Sequence, residues 1–283
     1  MEVLEGVGVQ FPRGQGIEVV GGWWEGSSMP VALWEFSRPL KPEEPIWRYM
    51  SVTAALNTLF NSKLRFTQLR TLNDHWEGAI TPATITSQKD LMFQISEHFK
   101  REVPDQEENL RVMQLMNRFH NYVSCWTTNT PDQMQMWDSY SDSNEWCALR
   151  TTVGKLQNSL VEIPDVADIG AIKYVDPDIE PIDGIDMRRE IYRKRNAFEY
   201  ENEVRFTINT TFVRKDRERL LLEEPPYLFE DFDYNIIEAL VIHPNASVQT
   251  EVTLERLLVN SKIRAKATRS SIARKPPLLD FKN

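Results

Sequence analysis

Residue types that serve metal and nucleotide sites are scarce in this chain of 283 residues. It has only two cysteines, Cys125 and Cys147, which lie too far apart for a CxxC pair, and its four histidines show no ligand spacing. None of its 11 glycines forms a glycine-rich phosphate loop of the Rossmann or P-loop kind. The sequence therefore predicts neither a structural zinc site nor either of these nucleotide-binding folds.

Excess positive charge and long apolar runs are also missing. The chain carries 33 basic and 42 acidic residues, a formal net charge of −9, which argues against general binding to nucleic acids or anionic membranes. No charged-then-apolar leader is present, and no apolar run is long enough to span a bilayer. We therefore expect a protein of the reducing cytoplasm with no membrane partner. Its apolar fraction of 41% is ordinary for a globular protein.

Helical and alternating patterns follow each other along the chain. Ser51 suits the N-cap of a helix that runs to Asn61, and Thr130, Pro131 and Gln133 predict a capped helix start. Short strands are predicted at 64–69, 122–126, 146–149, 169–175, 203–209 and 236–242. This order predicts an α+β fold, with a mixed or antiparallel central sheet and helices inserted between the strands.

The domain organisation follows from composition. Residues 1–45, rich in glycine, proline and tryptophan, are expected to form an extension packed on the core, and residues 46–260 a single domain. Residues 261–283 are predicted to be a basic carboxyl-terminal tail. A nucleic acid would need a local basic patch such as this tail, although a solvated tail explains the same charges.

The segment Phe198–Phe206 has the most informative pattern. Its alternation predicts a strand that carries Glu199, Glu201, Glu203 and Arg205 on one face. Neighbouring carboxylates repel each other, and burial raises the pKa of at least one of them unless cations are close. Such a face is either solvated, with Arg205 as a local counter-charge, or a functional site.

Five short motifs resemble a bacterial family known as domain of unknown function 2971, over roughly residues 46 to 260. They are Trp47-Arg48-Tyr49, Leu72-Asn73-Asp74-His75-Trp76-Glu77, Val123-Ser124-Cys125-Trp126, Met136-Trp137-Asp138-Ser139-Tyr140 and Phe198-Glu199-Tyr200-Glu201-Asn202-Glu203-Val204-Arg205. Each motif alone is weak, but their order and spacing together are fairly specific. The chain departs from the family at His75, where the family has proline, at Phe198, where it has tryptophan, and at Glu145-Trp146, where a glycine usually precedes the strand.

The order of basic residue, aromatic-Thr strand and Glu-x-Glu strand also resembles the ADP-ribosyltransferase layout. That resemblance implies an ADP-ribosyltransferase-like fold and NAD as the cofactor. Cleavage of the bond between nicotinamide and ribose develops positive charge on the sugar, which a fixed carboxylate stabilises. Glu201 and Glu203 are then the candidate catalytic residues, one against that charge and one as a base for the attacking group.

Upstream residues supply the candidate cofactor contacts. Arg48 is the natural partner of the pyrophosphate, because a guanidinium binds phosphate through two parallel hydrogen bonds. Tyr49 or Phe66 could stack on the nicotinamide. The candidate cofactor-binding residues are Arg48, Tyr49, Phe66, Thr67, Trp137 and Tyr140.

Structural explanations exist for the same residues. Arg48 could simply cover an aromatic edge, and Trp137 and Tyr140 could be core residues three apart on a helix. Asn73 and Asp74 are typical of a turn, although Asp74 and Glu77 near His75 could also hold a metal or a partner residue. The further polar site candidates are Asn73, Asp74, Glu77 and Arg205.

Three hypotheses about function follow. The first is an NAD-dependent ADP-ribosyltransferase-like toxin or antiphage effector that modifies a macromolecule, either protein or nucleic acid. The second is a non-enzymatic recognition or regulatory module of a bacterial defence or phage system. The third is a metal-dependent phosphodiesterase, which requires Asp74, Glu77, Glu201 and Glu203 to converge on a divalent ion.

Overall fold

A computed structural model describes residues 31–34, 37–100, 107–160, 166–181, 188–210 and 225–273. These residues form an α+β fold, a mixed central sheet with helices inserted between its strands, which confirms the predicted class. Residues 1–30 of the predicted extension lie outside the described residues. No helix in these ranges is both long and apolar enough to cross a membrane.

The elements alternate along the chain. The described helices are α1 (Val52–Asn61), α2 (Pro82–Phe99), α3 (Glu107–His120), α4 (Met134–Tyr140), α5 (Val153–Ser159), α6 (Arg188–Ile191) and α7 (Val248–Asn260). The described strands are β1 (Ala32–Trp34), β2 (Pro45–Ser51), β3 (Lys63–Gln68), β4 (Asn121–Thr127), β5 (Trp146–Thr152), β6 (Val166–Ala171), β7 (Lys173–Val175), β8 (Arg193–Arg195), β9 (Glu203–Asn209), β10 (Tyr227–Asp231), β11 (Ala239–Ile242) and β12 (Lys266–Arg269).

The main sheet contains ten of these strands, eight of them in the order β1-β6-β9-β4-β2-β5-β11-β12, while β3 joins β4 and β10. Its edge pairs β1–β6 and β11–β12 are parallel, and its other pairs are antiparallel. Two of its strands come from segments expected outside the domain, because 32–34 lies in the predicted extension and 266–269 in the predicted basic tail.

The predicted strand 169–175 is divided between two sheets. Residues to Ala171 belong to β6, whereas β7 pairs with β8 in a separate parallel sheet. The backbone N–H of Ile172, between them, donates to the carbonyl of Glu203 at 2.9 Å. This contact marks the point where the chain leaves the main sheet.

The main sheet forks at β4. Trp47 of β2 pairs with Thr127 near the end of β4, whereas Thr67 of β3 pairs with Val123 near its start. Both strands flank β4 on the side away from β9, so the sheet opens between them.

Local sequence explains where two of the helices begin. The hydroxyl of Ser51 accepts from Ala54 N–H, which confirms the predicted N-cap of α1. The predicted start at Thr130 is wrong, because α4 begins at Met134 and Thr130 instead accepts from Gln133 N–H in a turn. The Pro131 carbonyl is held by donors from Trp137 and Ser270, and these tertiary bonds outweigh the local capping pattern.

The two faces of the sheet differ in chemistry. Val204, Phe206 and Ile208 of β9 point into the main hydrophobic core. Glu203, Arg205 and Thr207 alternate with them and point to the opposite face, which we call the second face. Smaller apolar clusters around Trp137 and Tyr192 cover parts of that face.

Candidate functional site

The glutamate segment, Phe198–Phe206, does not form the single strand that its alternation had predicted. Residues Asn196–Glu201 form a 3₁₀ turn, and β9 begins only at Glu203. Asn202 between them adopts a left-handed conformation with φ of 43°, which asparagine tolerates better than most residues. Its side-chain amide donates to Asn129 Oδ1 at 2.9 Å and fixes this break. Glu199 is consequently exposed and does not share a face with the other two glutamates, whereas Glu201 and Glu203 are buried.

Lys194 of β8 lies between three carboxylates. Its Nζ is 2.6 Å from Glu201 Oε2, 3.0 Å from Glu203 Oε2 and 3.4 Å from Glu77 Oε1. The side chain of Lys194 is only 10% exposed, so these contacts are poorly screened by solvent. Burial opposes its ionisation, but Glu203 and Glu77 outweigh that cost and raise the pKa of Lys194.

Arg205 completes what we call the charged cluster, formed by Glu77, Lys194, Glu201, Glu203 and Arg205. It is fully buried, with Nε 2.6 Å from Glu203 Oε1 and Nη2 2.6 Å from Glu77 Oε2. A third guanidinium nitrogen donates to the carbonyl of Ile191 at 2.6 Å. Burial raises the pKa of Glu203, but the charges of Arg205 and Lys194 outweigh it and hold that pKa well below the usual range.

The charged cluster has three carboxylates and two cations, so its net charge is −1 when all five groups are ionised. Glu201 has the most accessible carboxylate, at 7% exposure against 2% for Glu203 and 3% for Glu77. Desolvation raises the pKa of Glu201, and Lys194 only partly offsets that effect. Glu201 is therefore the carboxyl of the charged cluster that lies nearest to solvent and takes up a proton more readily than Glu203.

Three aromatic residues pack in a group that begins next to Glu201. Tyr140, the last residue of α4, lies close to the Glu201 carboxylate, and burial together with the nearby carboxylate charge raises the pKa of the Tyr140 hydroxyl. Tyr140 stacks on Tyr49 with ring centroids 5.8 Å apart, and Tyr49 meets the edge of Trp137 at 4.8 Å. The structure thus brings Tyr49, Trp137 and Tyr140 together with Glu201.

The loop after β3 is tied to the same region by ion pairs. Asp74 accepts two hydrogen bonds from Arg195, at 3.0 and 3.1 Å, and Glu77 enters the charged cluster. Asn73 beside them is exposed. Among the described residues, no group of three or more histidine, cysteine or acidic side chains is placed to hold a metal ion.

Arg48 lies on the main-core side of β2 instead of the second face. Its neighbours Ile46 and Met50 belong to the main core, whereas Trp47 and Tyr49 pack with α4. Its Nη2 donates to the carbonyl of Arg65 at 2.9 Å, and its guanidinium lies 5.9 Å from the Trp126 ring centre. The structure therefore does not bring Arg48 into contact with Glu201.

The guanidinium of Arg48 also lacks an anionic partner within the described ranges. Its Nη1 is buried without a hydrogen bond, and burial together with the charge of Arg65 lowers its pKa to about 10. A buried cation that no carboxylate neutralises is costly, so such a group is typical of a site that receives an anion.

Phe66 and Thr67 of β3 lie on opposite faces of the sheet. Phe66 is fully buried in the main core, where it meets the edge of Phe206 at 5.3 Å. Thr67 pairs with Val123 and lies on the second face, half-buried. Phe66 is thus a core residue, while Thr67 lies at the fork between β2 and β3.

Several residues of this site were missed from the sequence. Lys194 and Arg195 hold acidic groups, Cys125 lies opposite Arg205 in the strand pairing, and the Tyr174 hydroxyl accepts from Glu203 N–H at 2.8 Å. The basic run 193–195 shortly before the glutamates was a signal that could have identified the two cations. Nothing local in the sequence indicated Cys125 or Tyr174, since their contacts depend on strand pairing.

A pocket of about 300 Å³ opens on another side of α4. It is lined by Met134, Asp138, Ser141, Asp142, Ser143, Asn144, His243 and Asn245. No residue of the charged cluster lines this pocket, so it is separate from the site around Glu201.

Glu190 of α6 is a buried carboxylate outside the charged cluster. It is 2% exposed, its Oε1 has no hydrogen-bond partner within the described ranges, and burial raises its pKa to about 8 although Arg193 partly opposes this. The folded protein therefore holds a proton on Glu190 that the unfolded chain releases near pH 4.5.

We predict that Glu190→Gln flattens the dependence of stability on pH. A carboxyl whose pKa is raised by folding contributes stability below its unfolded pKa, and this contribution is lost as pH rises through the folded value of about 8. Denaturant unfolding should show the variant to be more stable than wild type at pH 8.5, by up to about 4 kcal/mol, and similar at pH 5. The exposed Glu255→Gln is the control, and equal pH profiles for all three proteins would contradict the prediction.

Comparisons with known proteins give little further information. No model of a known protein family matches the chain, so the resemblance to domain of unknown function 2971 stays a prediction. The curated proteins give no match either.

Among solved structures, the chain is similar to DarT of Thermus sp. 2.9 in three complexes. The complex with ADP-ribosylated ssDNA is 7% identical with a TM-score of 0.35, covering 82% of this chain and 96% of that one. The complex with NAD+ is 6% identical with a TM-score of 0.37, covering 83% and 100%. The complex with carba-NAD+ is 8% identical with a TM-score of 0.34, covering 82% and 97%. Similarity this low carries no argument about the function of this chain, which has to be inferred from the geometry of its site.

Proposed function

We propose that this protein is an NAD-dependent ADP-ribosyltransferase in which Glu201 is the reactive carboxylate. The observation that carries the proposal is a buried cluster of three carboxylates and two cations, whose most accessible carboxylate, Glu201, lies beside two stacked tyrosines. Such a group stabilises a cation that forms next to it, because little solvent is present to screen the attraction.

The reaction requires such a cation. When the bond between nicotinamide and ribose breaks, its electron pair leaves with nicotinamide and the ribosyl carbon becomes positively charged. The acceptor then forms a bond to that carbon and loses a proton. Glu201 has a raised pKa, so it can stabilise the cation as a carboxylate and then take up that proton.

In this proposal the remaining carboxylates have a supporting role. Glu203 and Glu77 are occupied by Arg205 and Lys194, so they hold the charged cluster together and set the charge at Glu201. Tyr140 lies beside the Glu201 carboxylate, and its half-buried ring, which stacks on the buried Tyr49, is the surface proposed for nicotinamide.

Arg48 is the proposed pyrophosphate ligand. Its unpaired guanidinium suits a phosphate, and strand register places β2 and β9 on either side of β4, about 10 Å apart across the sheet. A dinucleotide that contacts both Arg48 and Glu201 has to pass through the opening where β2 and β3 part, beside Thr67.

We predict that two Arg48 variants bind NAD less well and that one of them, Arg48→Met, is nevertheless more stable than wild type. Arg48→Lys should weaken NAD binding by about 1–3 kcal/mol, because an ammonium cannot form two parallel bonds to phosphate. Arg48→Met should lose NAD binding yet raise the free energy of unfolding, since it removes an unpaired buried charge. Titration calorimetry and denaturant unfolding measure both effects. Equal NAD affinities for wild type and Arg48→Lys would remove Arg48 from the site.

Transfer itself is tested with NAD that is labelled in its adenylate part. We expect the wild-type protein to move the label onto a protein or nucleic acid of a bacterial extract. In a bacterial cytoplasm such a modification would make the protein a toxin or an antiphage effector, and its expression should arrest growth. No transfer to any fraction, together with no loss of NAD, would contradict the proposal.

A non-enzymatic recognition module is the second candidate. It is favoured by the ion pairing of Glu77 and Glu203, since internally neutralised carboxylates are typical of a scaffold. A protein of this kind would bind a macromolecular partner without consuming NAD. The phosphodiesterase hypothesis is disfavoured by the ion pairs of its four acidic residues. A divalent ion would have to compete with a lysine or an arginine for each of Asp74, Glu77, Glu201 and Glu203.

A further inference from the structure

The outer face of β3 and β10 exposes two aromatic rings. Tyr227 is 42% exposed and Phe229 is 56% exposed, while Leu228 between them is buried in the main core. The rings lie on the same side of β10, about 7 Å apart along the strand. Covering them would remove apolar surface from water, so the exposed pair favours a partner.

Basic residues of β3 lie directly beside these rings. Arg65 pairs with Phe229 across the two strands, and its guanidinium lies 5.0 Å from the centre of the Tyr227 ring. Lys63 pairs with Asp231 at the end of the ladder, 2.8 Å between Nζ and Oδ1. We call Lys63, Arg65, Tyr227 and Phe229 the aromatic strip.

We propose that the aromatic strip binds a short stretch of single-stranded nucleic acid. Ring faces stack on unpaired bases regardless of sequence, and neighbouring cations contact the phosphates between them. An uncharged apolar partner would not require Arg65 between the rings. A duplex hides its base faces, so the strip discriminates against it.

The net charge of the chain limits how this binding works. At −9, the protein as a whole repels a phosphate backbone, so most of the affinity has to come from stacking. Within β3 and β10, Lys63 and Arg65 are the only basic residues, and Lys63 is already paired. The strip therefore holds few nucleotides, with an affinity that depends little on salt.

The strip and the charged cluster lie on the same face of the sheet. Thr67 pairs with Val123, which lies on the second face with Cys125, and Arg65 shares the face of Thr67 by alternation. Only β4 separates β3 from β9, so Arg65 is about two strand spacings from β9, roughly 10 Å, and the rings of β10 are about three, roughly 14 Å. If the proposed transferase activity holds, the strip binds the nucleic acid acceptor on the same face of the sheet as the charged cluster.

Fluorescence anisotropy with labelled twelve-nucleotide oligomers tests the binding in the absence of NAD. Oligo-dT and oligo-rU distinguish DNA from RNA, and a duplex of the same length should bind at least about tenfold more weakly. Tyr227→Ala combined with Phe229→Ala should weaken single-strand binding at least about tenfold, since each ring carries much of the stacking. The matched control is Phe93→Ala, an aromatic on α2 that is 68% exposed and should have no effect.

The salt dependence provides a second criterion. With about one or two phosphates neutralised, the plot of log affinity against log salt should have a slope between about −0.7 and −1.4. No binding by wild type, equal binding of duplex, or equal loss in Phe93→Ala would overturn the proposal. Release of nicotinamide by wild type without any oligomer, when water takes the place of the acceptor, reports the cleavage of NAD independently of the aromatic strip, so failure of either proposal is recognised separately.

Discussion

Arg205→Met is expected to destabilise the protein by about 3–5 kcal/mol, the largest effect on stability that the structure predicts. Arg205 is fully buried and shared between Glu77 and Glu203. Its removal leaves three buried carboxylates with Lys194 as their one cation, and the carbonyl of Ile191 loses its donor. Denaturant unfolding at pH 7 measures the loss.

Arg195→Met is the matched control for this prediction. Arg195 forms an ion pair with Asp74 in the same region, but its side chain is 39% exposed. Pairs at such exposure contribute little, so the control should change stability by at most about 1 kcal/mol. If both variants lost a similar free energy of unfolding, burial of the charged cluster would not be the reason for its contribution to stability.

Glu201→Gln is expected to reduce nicotinamide release from NAD at least about 100-fold, the range measured when a single stabilising group is removed from an active site. The amide retains the shape of the carboxylate but removes the surplus negative charge of the cluster. Stability should change by no more than about 1 kcal/mol, because the lost bond to Lys194 is offset by relief of repulsion with Glu203. Release is measured by chromatography, with unfolding curves recorded in parallel.

Glu199→Gln serves as the control for Glu201→Gln. The two glutamates are two residues apart in sequence, but Glu199 is exposed and outside the charged cluster. It should leave nicotinamide release unchanged. A comparable reduction in both variants, or full release by Glu201→Gln, would remove Glu201 from the chemistry.

Elements governed by local patterns could be predicted from the sequence. The cap at Ser51, the strand at β4 and the α+β order all follow from residue periodicity and short-range hydrogen bonds. The glutamate segment could not, because one residue, Asn202, takes a left-handed conformation and ends the alternation. The strand β12 could not be predicted from the sequence either. It lies in a basic segment, and its pairing with β11 is decided by tertiary contact.

The candidate site was predictable only in part, because local patterns reveal its residues but tertiary contacts decide how they pair. Glu201 and Glu203 were identifiable as a pair, whereas the cations of the basic run 193–195 were missed although the run itself is visible in the sequence. The sequence could not reveal that Glu203 pairs with both Arg205 and Lys194 while Glu201 pairs with Lys194 alone. That difference arises from the fold, which brings Glu77 to the cluster from a distant loop.

Nicotinamide release by the wild-type protein tests the central claim most directly. Purified protein is incubated with NAD at pH 7, with and without bacterial extract, and free nicotinamide is measured over time. We expect release by wild type that Glu201→Gln abolishes and Glu199→Gln does not. Absence of release under both conditions, together with no heat of NAD binding in calorimetry, would contradict the assignment of the charged cluster to ADP-ribosyl transfer.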